Sequence, residues 1–296
     1  MIVITTPTGN IGGRLLRLLL ESESREDVRV IVRDPARLPG DVRERVDVVT
    51  GSHGDAEVVD RAFAGAGAVF WLVPPDTAAP SLEAAFSGFT RPAAEAFARH
   101  GVGHVVGLSA LGRGTAAAGR AGLVTASLAM DDLIAGTGVA YRAVTAPSFM
   151  DNLLGDLDSI RDEGVFTDTV AADRRAPSVA TADLAAAAAR LLLDRSWTGT
   201  GSVPVLGPED ISPDDMAGTM AEVLGRPVRY ERQAPDELAA QLRGYGLGEA
   251  FVRGLVDMKH AKDDGLDAGE PRTEHTTSPT SFREWCERVL KPAATA

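Results

Sequence analysis

A glycine-rich turn lies at the start of the chain, between a short apolar run and an amphipathic stretch. Residues 2–5 predict a strand, and residues 11–20 predict a helix with one apolar face. A strand that enters a helix through such a turn directs the free backbone amides of the helix toward one spot, where an anion is stabilised. Gly9 permits close backbone approach, Gly12 lets the helix lie against the strand, and Thr6 stands where the usual first glycine would be. The turn therefore predicts a phosphate-binding strand–turn–helix; the alternative is an ordinary turn whose glycines serve packing.

Short β-rich runs alternate with helical stretches through the first half of the chain. The predicted strands cover residues 2–5, 28–32, 46–49, 68–73, 104–108 and 139–144. They are separated by helical patterns that include residues 11–20, 81–100 and 124–135. Helices of this length act as crossover connections, and crossovers produce a parallel sheet that is covered by helices on both faces. The prediction for residues 1–150 is an α/β fold with a doubly wound parallel sheet.

The alternation weakens after residue 150. Further elements are predicted as helices at 180–193, 236–258 and 281–290, a strand at 202–206, and a polar loop at 259–280. Ser212 signals one more helix start, because serine caps a helix and the Pro213 and two aspartates that follow it suit the first turn. Since no long linker intervenes, residues 151–296 are predicted to be an extension packed on the first region.

The charge balance and the cysteine count exclude several classes of protein. The chain of 296 residues carries 30 Lys and Arg against 42 Asp and Glu, a formal net charge of −12. This balance disfavours nucleic acid as a partner, because a nucleic-acid footprint needs surplus basic residues. The single cysteine, Cys286, excludes an intramolecular disulfide framework. His100 and His104 are four residues apart, but they flank a predicted helix-to-strand turn and do not share one helix face. The chain has no Cys-x-x-Cys, so no metal site is expected.

The hydropathy of the chain gives no sign of a membrane segment. No apolar run reaches about 18 residues, the length that a transmembrane helix requires. The N-terminal apolar run is too short for a signal peptide and lacks preceding basic residues. We therefore expect a cytoplasmic protein with no membrane partner. The acidic charge permits a homodimer.

Two arginines follow the second predicted strand, at the position that faces the adenosine ribose in a dinucleotide-binding fold. An acidic residue there selects a free 2′-hydroxyl, whereas an arginine accommodates a 2′-phosphate. Arg33 comes first and Arg37 follows one turn later, with Asp34 next to the former. A planar guanidinium matches phosphate geometry, so NADP is favoured as the cofactor. Asp34 leaves NAD open as the alternative.

These segments resemble the NmrA-like branch of the atypical short-chain dehydrogenases/reductases. That family carries a strand followed by Gly-Ala-Thr-Gly-Asn-Ile/Val-Gly, and residues 6–12 match this pattern except at its first two positions. Arg33-Asp34-Pro35 is similar to the end of the family's second strand, and residues 105–110 are similar to the end of its fifth. Later segments within residues 131–152, 178–183 and 225–228 also resemble the family.

The resemblance implies an NAD(P)-binding Rossmann fold with a smaller α/β C-terminal region, and a substrate held between the two. Taken with the turn and the two arginines, it assigns cofactor binding to Thr6, Thr8, Gly9, Asn10, Ile11, Gly12, Arg33, Arg37, Leu72, Val73, Pro74 and Ser109. The candidates for a pocket that takes a small hydrophobic substrate are Pro75, Phe149 and Met150.

The chain departs from ordinary short-chain reductases at their catalytic pair. Those enzymes use Tyr-x-x-x-Lys, in which the tyrosine is the acid or base and the lysine lowers its pKa. The helix predicted at 124–135, where this pair would lie, contains neither residue. The candidate catalytic residues are Ser109, which would bind a substrate carbonyl, and Asn152 or His53, which would orient it. A plain turn hydroxyl and a loop histidine are the alternative readings of Ser109 and His53.

Three functions fit these residues. The first is an NAD(P)H-dependent oxidoreductase on a hydrophobic aromatic or quinone-like molecule, because hydride chemistry belongs to the cofactor and a reduced quinone is a relatively stable phenolate. The second is a non-catalytic NAD(P)-sensing regulatory protein, which the absent Tyr/Lys pair favours. The third is a tailoring enzyme of aromatic natural products in secondary metabolism, an oxygenase for example, whose dinucleotide site is weakened at Thr6.

Overall fold

The computed structural model describes residues 1–24 and 26–295, and its centre is a parallel sheet of seven strands. In chain order the strands are β1 (Ile2–Ile4), β2 (Val28–Val32), β3 (Asp47–Thr50), β4 (Ala68–Trp71), β5 (His104–Ala110), β6 (Ala140–Ala146), β7 (Ser148–Phe149), β8 (Val165–Asp168), β9 (Ala176–Val179), β10 (Thr200–Pro204), β11 (Asp210–Ile211) and β12 (Arg229–Arg232). The helices are α1 (Asn10–Glu21), α2 (Gly40–Arg43), α3 (Ala56–Phe63), α4 (Phe89–His100), α5 (Leu123–Ala135), α6 (Leu157–Asp162), α7 (Thr181–Leu193), α8 (Pro213–Leu224), α9 (Pro235–Gly244), α10 (Glu249–Asp263), α11 (Phe282–Trp285) and α12 (Lys291–Thr295).

The strand order of the main sheet is β10-β6-β5-β4-β1-β2-β3, and each neighbouring pair is parallel. From β1 the chain builds outward through β2 and β3, and then crosses back to pair β4 with the other side of β1. At this reversal the carboxyl ends of β1 and β4 leave a crevice, which is where ligands bind in open α/β sheets. The predicted doubly wound parallel sheet is confirmed.

The central strands are apolar along their whole length because both faces of the sheet are covered. All residues of β1 and β4 are buried, including Phe70 and Trp71 at 0% exposure. On one face α1 and α7 pack together and bury leucines of both helices; on the other face lie α3, α4 and α5. Full burial of one such large side chain contributes about 1.5–3 kcal/mol, so these two layers hold the crevice in a fixed shape.

The second half of the chain contributes to the main sheet as well as to a smaller region. Helix α7 packs on α1, and β10 pairs in parallel with β6. The smaller region contains two further sheets, β11-β9-β7 and β12-β8, around a separate apolar cluster that includes Phe166 and Trp285. The division of the chain at residue 150 stays a prediction, and it does not follow the boundary of the main sheet.

Several local predictions need correction. The pattern at 236–258 forms two helices, α9 and α10, because the chain turns between them at Tyr245–Gly248, where Gly246 has φ +80°. The strand predicted at 202–206 forms as β10, which begins and ends two residues earlier than predicted.

The helix start predicted at Ser212 is confirmed. The Ser212 hydroxyl accepts a hydrogen bond from the Asp215 amide, and the Asp215 carboxylate accepts one from the Ser212 amide. None of the described helices is both long and apolar enough to cross a bilayer.

Gly12 sets the distance between α1 and the turn that follows β1. A Cβ atom at this position would lie 2.2 Å from the backbone carbonyl oxygen of Thr6, which cannot give way as a flexible side chain would. We predict that Gly12→Ala lowers the free energy of unfolding by about 1–3 kcal/mol, because overpacking forces the helix away from the strand. Urea denaturation of the purified variant measures this change.

Gly218→Ala is the matched control, since a Cβ atom at this helical glycine of α8 would meet nothing within 4 Å. That variant is expected to be stabilised by about 0.5–1 kcal/mol, because alanine is the better helix former. Equal stability of Gly12→Ala and the wild type would contradict the packing role of Gly12.

Candidate functional site

The turn after β1 is built around a threonine in a left-handed conformation. Thr6 has φ +53° and is the one non-glycine residue with positive φ in the described part of the chain. A β-branched residue rarely adopts this conformation, and such strain is typical of functional sites. The carbonyl of Thr6 accepts a hydrogen bond from the Gly9 amide at 3.1 Å. Thr6 therefore adopts the backbone conformation that the missing glycine would supply.

The first turn of α1 is left open to a ligand. Gly9 precedes the helix and no side chain caps it, so the first amides of α1 have no partner within the helix. The Thr6 hydroxyl is buried and has no hydrogen-bond partner. Unpaired amides and an orphaned buried hydroxyl at one turn fit a phosphate group, whose oxygens would accept from these donors. The turn thus has the form that a dinucleotide pyrophosphate requires.

A cavity of about 670 Å³ extends from this turn across the ends of β2, β3 and β4. It is lined by Thr6, Pro7, Thr8, Gly9, Ile31, Val32, Arg33, Asp34, Arg37, Gly51, Ser52, His53, Pro74, Pro75, Asp76, Thr77 and Phe89. The Asp34 carboxylate accepts from the Ala36 amide at 3.0 Å and so caps the short helical turn Pro35–Arg37. Neither Arg33 nor Arg37 has an ion pair within the described residues. Both arginines are exposed at the cavity, and their charge favours a 2′-phosphate.

His53 lies in this first cavity and braces the end of β4. Its Nε2 is 3.0 Å from the Leu72 carbonyl oxygen, and its ring packs edge-on against Trp71 and Phe89 with centroids 5.1 and 4.8 Å away. Burial lowers the pKa of His53 to about 4, so the neutral ring donates its Nε2 proton to Leu72 near neutral pH. This placement separates His53 from the cavity that contains Asn152.

A second cavity of about 370 Å³ continues from the first, and the two share Thr6, Gly9, Pro74 and Pro75. Its apolar wall consists of Ile11, Leu72, Val73, Pro74, Pro75, Phe86, Leu108, Met130 and Phe149. Its polar groups belong to Asn10, Ser127, Asp151, Asn152 and Thr181. The Asp151 carboxylate accepts from the Thr181 amide and hydroxyl at 3.0 and 2.6 Å, so the start of α7 holds it in place. The cavity is a mostly apolar pocket with a few fixed polar groups, the usual form of a small-molecule site.

Ser109 lies behind the wall of this second cavity and does not line it. Its hydroxyl donates to Asp131 at 2.5 Å and lies 3.3 Å from the hydroxyl of Ser127, which does line it. Tyr141 donates to the other oxygen of Asp131 at 2.6 Å. Direct contact of Ser109 with cofactor or substrate stays a prediction. The structure places Ser109 in a buried hydrogen-bond network instead.

Asp131 is the centre of that network, and no local pattern in the sequence singles it out as a candidate site residue. It is 3% exposed, and burial raises its pKa to about 6, against the hydrogen bonds from Ser109 and Tyr141 that lower it. Burial likewise raises the pKa of Tyr141 well above 10, so Tyr141 remains a donor. The signal available in the sequence was the spacing of Ser127 and Asp131, four residues apart on one helix and therefore on one face.

A third cavity of about 240 Å³ adjoins the second, with Phe149 and Asn152 in the walls of both. Met150 lines this third cavity, and so do Arg174, Lys259 and Lys262. Lys259 pairs with Asp168 at 2.6 Å and Lys262 pairs with Asp267. The Arg174 Nε and one oxygen of Asp267 are buried without a hydrogen-bond partner. Two orphaned polar atoms indicate that this cavity suits a polar group.

Most of the predicted cofactor and substrate residues thus come together along one crevice. Among the residues that the structure describes, no group of three or more His, Cys, Asp or Glu side chains is arranged to hold a metal.

The comparisons with known proteins agree with this geometry. A family model described as NAD(P)H-binding matches residues 7–195. The chain is 31% identical over 294 residues to (4-alkanoyl-5-oxo-2,5-dihydrofuran-3-yl)methyl phosphate reductase of Streptomyces griseus, with 96% of each protein covered. It is 24% identical to quinone oxidoreductase 2 of Escherichia coli, over 91% of this chain and 89% of that protein. The solved structure of Citrobacter sp. triphenylmethane reductase complexed with NADP(H) shares the fold, with a TM-score of 0.79 and 19% identity over 99% of each chain.

The raised pKa of Asp131 gives a testable pH dependence. Because the folded state binds this proton more tightly than the unfolded chain, whose aspartate pKa is 3.8, the group stabilises the protein at low pH, and this contribution is lost as pH rises through about 6. We predict that the wild type gains about 1 kcal/mol relative to Asp131→Asn between pH 8 and pH 5. Urea denaturation of both proteins at the two pH values measures the difference.

Asp41→Asn serves as the control, because Asp41 is exposed on α2 and lies outside the Asp131 network. The stability difference between this variant and the wild type should change less between pH 8 and pH 5 than that of Asp131→Asn. A stability difference between the wild type and Asp131→Asn that does not change with pH would show that the carboxyl of Asp131 has an ordinary pKa.

Proposed function

The chain belongs to the NAD(P)H-binding family of atypical short-chain dehydrogenases/reductases, the NmrA-like class, and we propose that it is an NADPH-dependent reductase of a hydrophobic, aromatic or quinone-like small molecule. The observation that carries the proposal is the continuity of the first two cavities. A charged cavity with Arg33 and Arg37 joins a mostly apolar one at the glycine turn. A dinucleotide placed along this crevice would have its adenosine end at the arginines and its nicotinamide beside the apolar pocket.

Different residues of the crevice would bind different parts of the cofactor and the acceptor. The unpaired amides at the start of α1, those of Asn10 and Ile11, would hold the pyrophosphate, and the two arginines would hold a 2′-phosphate. The segment Leu72–Pro74 and the start of α1 would flank the nicotinamide, which supplies a hydride when bound. Phe86 and Phe149 exclude water from the acceptor side and present an apolar surface to an aromatic ring. Asn152 provides an amide that would orient a polar atom of the acceptor, as the sequence suggested.

The named relatives support this assignment in different ways. The reductase from Streptomyces griseus is related along nearly its full length, and quinone oxidoreductase 2 is named for a quinone acceptor. A stable phenolate leaves a quinone reductase with little need for a strong acid, which suits a chain without the Tyr-x-x-x-Lys pair.

The proposal is tested by titrating the purified protein with NADPH and NADH and then supplying quinones and other acceptors while following nicotinamide absorbance. The wild type is expected to bind NADPH more tightly than NADH and to oxidise it when a quinone is added. In the double variant Arg33→Ala/Arg37→Ala the Kd for NADPH should rise about 10–100-fold, because the charge-assisted hydrogen bonds of these two exposed side chains to phosphate are together worth about 1.5–3 kcal/mol. The Kd for NADH should change less than about 3-fold.

Arg190→Ala/Arg253→Ala is the matched control for two lost positive charges, because these exposed arginines of α7 and α10 lie outside the crevice lining. It should bind both nucleotides like the wild type. Binding without turnover of any acceptor would favour the NAD(P)-sensing regulator. Absence of binding, or consumption of dioxygen with a polyphenol, would favour the tailoring enzyme.

A second candidate substrate class carries a phosphate group. The third cavity favours it, because Arg174 has an unpaired buried Nε and no ion pair within the described residues, while the cavity adjoins the apolar pocket at Phe149. The relative from Streptomyces griseus is named for a phosphate ester that also bears an alkanoyl chain. A substrate of that kind would place its phosphate at Arg174 and its reducible ring in the second cavity.

Arg174→Gln tests this candidate. We expect the KM of a phosphorylated butenolide acceptor to rise about 10–100-fold, because one charge-assisted hydrogen-bond partner is lost, while the KM of a neutral quinone stays within about 3-fold. Arg175→Gln, a variant of the neighbouring arginine that instead pairs with Asp215 on the exterior, is the control. Equal effects of Arg174→Gln on the KM of both acceptors would contradict a phosphate site at Arg174.

A further inference from the structure

We propose that Ser127 delivers a proton to the substrate oxygen and that Asp131 supplies this proton through Ser109. The inference rests on the proposed reductase function, since it concerns the acceptor bound in the second cavity. Reduction of a carbonyl takes up a hydride, which that function assigns to the nicotinamide, and one proton on oxygen. The chain has no tyrosine–lysine pair on α5 to provide the proton, yet Ser127 of that helix lines the cavity.

The three side chains form a continuous path. The Ser127 and Ser109 hydroxyls are 3.3 Å apart, and Ser109 lies 2.5 Å from the Asp131 carboxylate. All three residues are buried, with exposures of 8%, 7% and 3%, so water does not compete along the path. The longer first link lies next to the cavity, where a bound acceptor would add a second hydrogen-bond partner for Ser127. A proton can therefore pass from the carboxyl to the cavity by exchange along two hydroxyls.

The other end of the path reaches solvent through a separate cavity. Asp131, Tyr141 and Arg113 line a space of about 280 Å³ on the opposite side of the network, together with Glu270. Arg113 is 51% exposed and lies 3.7 Å from Asp131, and it also donates to Asp132 at 2.8 Å. Water in this space can reprotonate the carboxylate after each turnover. The path thus connects the second cavity, where the acceptor binds, with solvent, while the second cavity itself stays closed on that side.

The charged and titratable groups that face Asp131 set its acidity. Tyr141 from β6 donates to one oxygen, Arg113 from the segment after β5 approaches the other, and Asp132 and Glu270 are the nearby carboxylates. Burial nevertheless raises the pKa of Asp131 to about 6. A general acid works best when its pKa lies near the working pH, and this carboxyl meets that condition better than an ordinary aspartate.

Hydride and proton addition to the acceptor carbonyl conserves atoms and electrons. The acceptor carbon gains the hydride, and the electron pair of the broken carbonyl π bond moves to its oxygen, which takes the Ser127 proton. Ser127 takes the Ser109 proton, and Ser109 takes the proton from the Asp131 carboxyl, leaving a carboxylate. Tyr141 and Arg113 stabilise that carboxylate until water in the outer cavity returns a proton. No residue of the path changes its oxidation state.

Ser127→Ala, which breaks the path at the cavity, tests the proposal when an aldehyde or ketone acceptor and a quinone acceptor are compared side by side. We expect kcat for the carbonyl acceptor to fall about 100-fold, the scale of general acid catalysis, and kcat for the quinone to change less than about 3-fold. The wild-type rate with the carbonyl acceptor should decline as pH rises above about 6. Asp131→Asn should abolish that decline, because the variant has no proton to lose.

Two controls separate this role from a structural one. Ser127→Thr keeps the hydroxyl and is expected to retain most of the activity, and Ser87→Ala removes a hydroxyl of similar burial on a neighbouring segment outside the path. The Kd for NADPH, measured by titration without acceptor, should be unchanged in Ser127→Ala.

The outcomes distinguish the two proposals. Normal NADPH binding together with wild-type rates and pH profiles in Ser127→Ala and Asp131→Asn would overturn the proton path and leave the reductase function in place. A wild-type protein that neither binds NADPH nor reduces any acceptor would overturn the reductase function, and the proton path with it.

Discussion

The architecture of the site depends on the close approach of α1 to the end of β1. No side chain separates them at Gly12, and Thr6 reverses the chain with a left-handed backbone that its branched side chain opposes. This contact aims the open end of α1 into the crevice between β1 and β4, and both cavities meet at the same turn. The burial of α1 and α7 against the sheet opposes the strain at Thr6 and keeps the turn in this shape.

A reductase that lacks the tyrosine–lysine pair needs either another proton donor or an acceptor whose reduction does not depend on a strong acid. The crevice is compatible with both solutions, since it is apolar around the position of the acceptor and contains the buried hydroxyl of Ser127, which Ser109 connects to the buried carboxyl of Asp131. The proposed proton path would therefore link acceptor range to proton supply. Quinones would make the smallest demand on the buried network, and simple carbonyl compounds would make the largest.

The sequence was sufficient for the main sheet, the glycine turn and most of the crevice, because these follow from local patterns. The apolar runs of β1 and β4 and the spacing of the turn residues are visible without any tertiary contact. The sequence leaves both NADP and NAD open as cofactors, because Asp34 lies next to Arg33 after the second strand. Only the structure shows that the Asp34 carboxylate already accepts a hydrogen bond from the Ala36 amide. Short strands such as β8 and β12 were missed, since residues 229–232 are largely charged and pair only because the C-terminal cluster brings them together. The Asp131 network was missed for the same reason: its members come from β5, α5 and β6, and their burial is a property of the packed helix and sheet.

The return of the chain through α7 to β10 has a mechanical consequence. Strand β10 is hydrogen-bonded to β6 along its length. Thr181, the first residue of α7, donates a hydrogen bond to Asp151 in the wall of the second cavity. The backbone therefore joins the two regions at more than one point, which restricts their movement relative to each other. The Pro74–Pro75 segment, which lines both of the first two cavities, lies outside these connections.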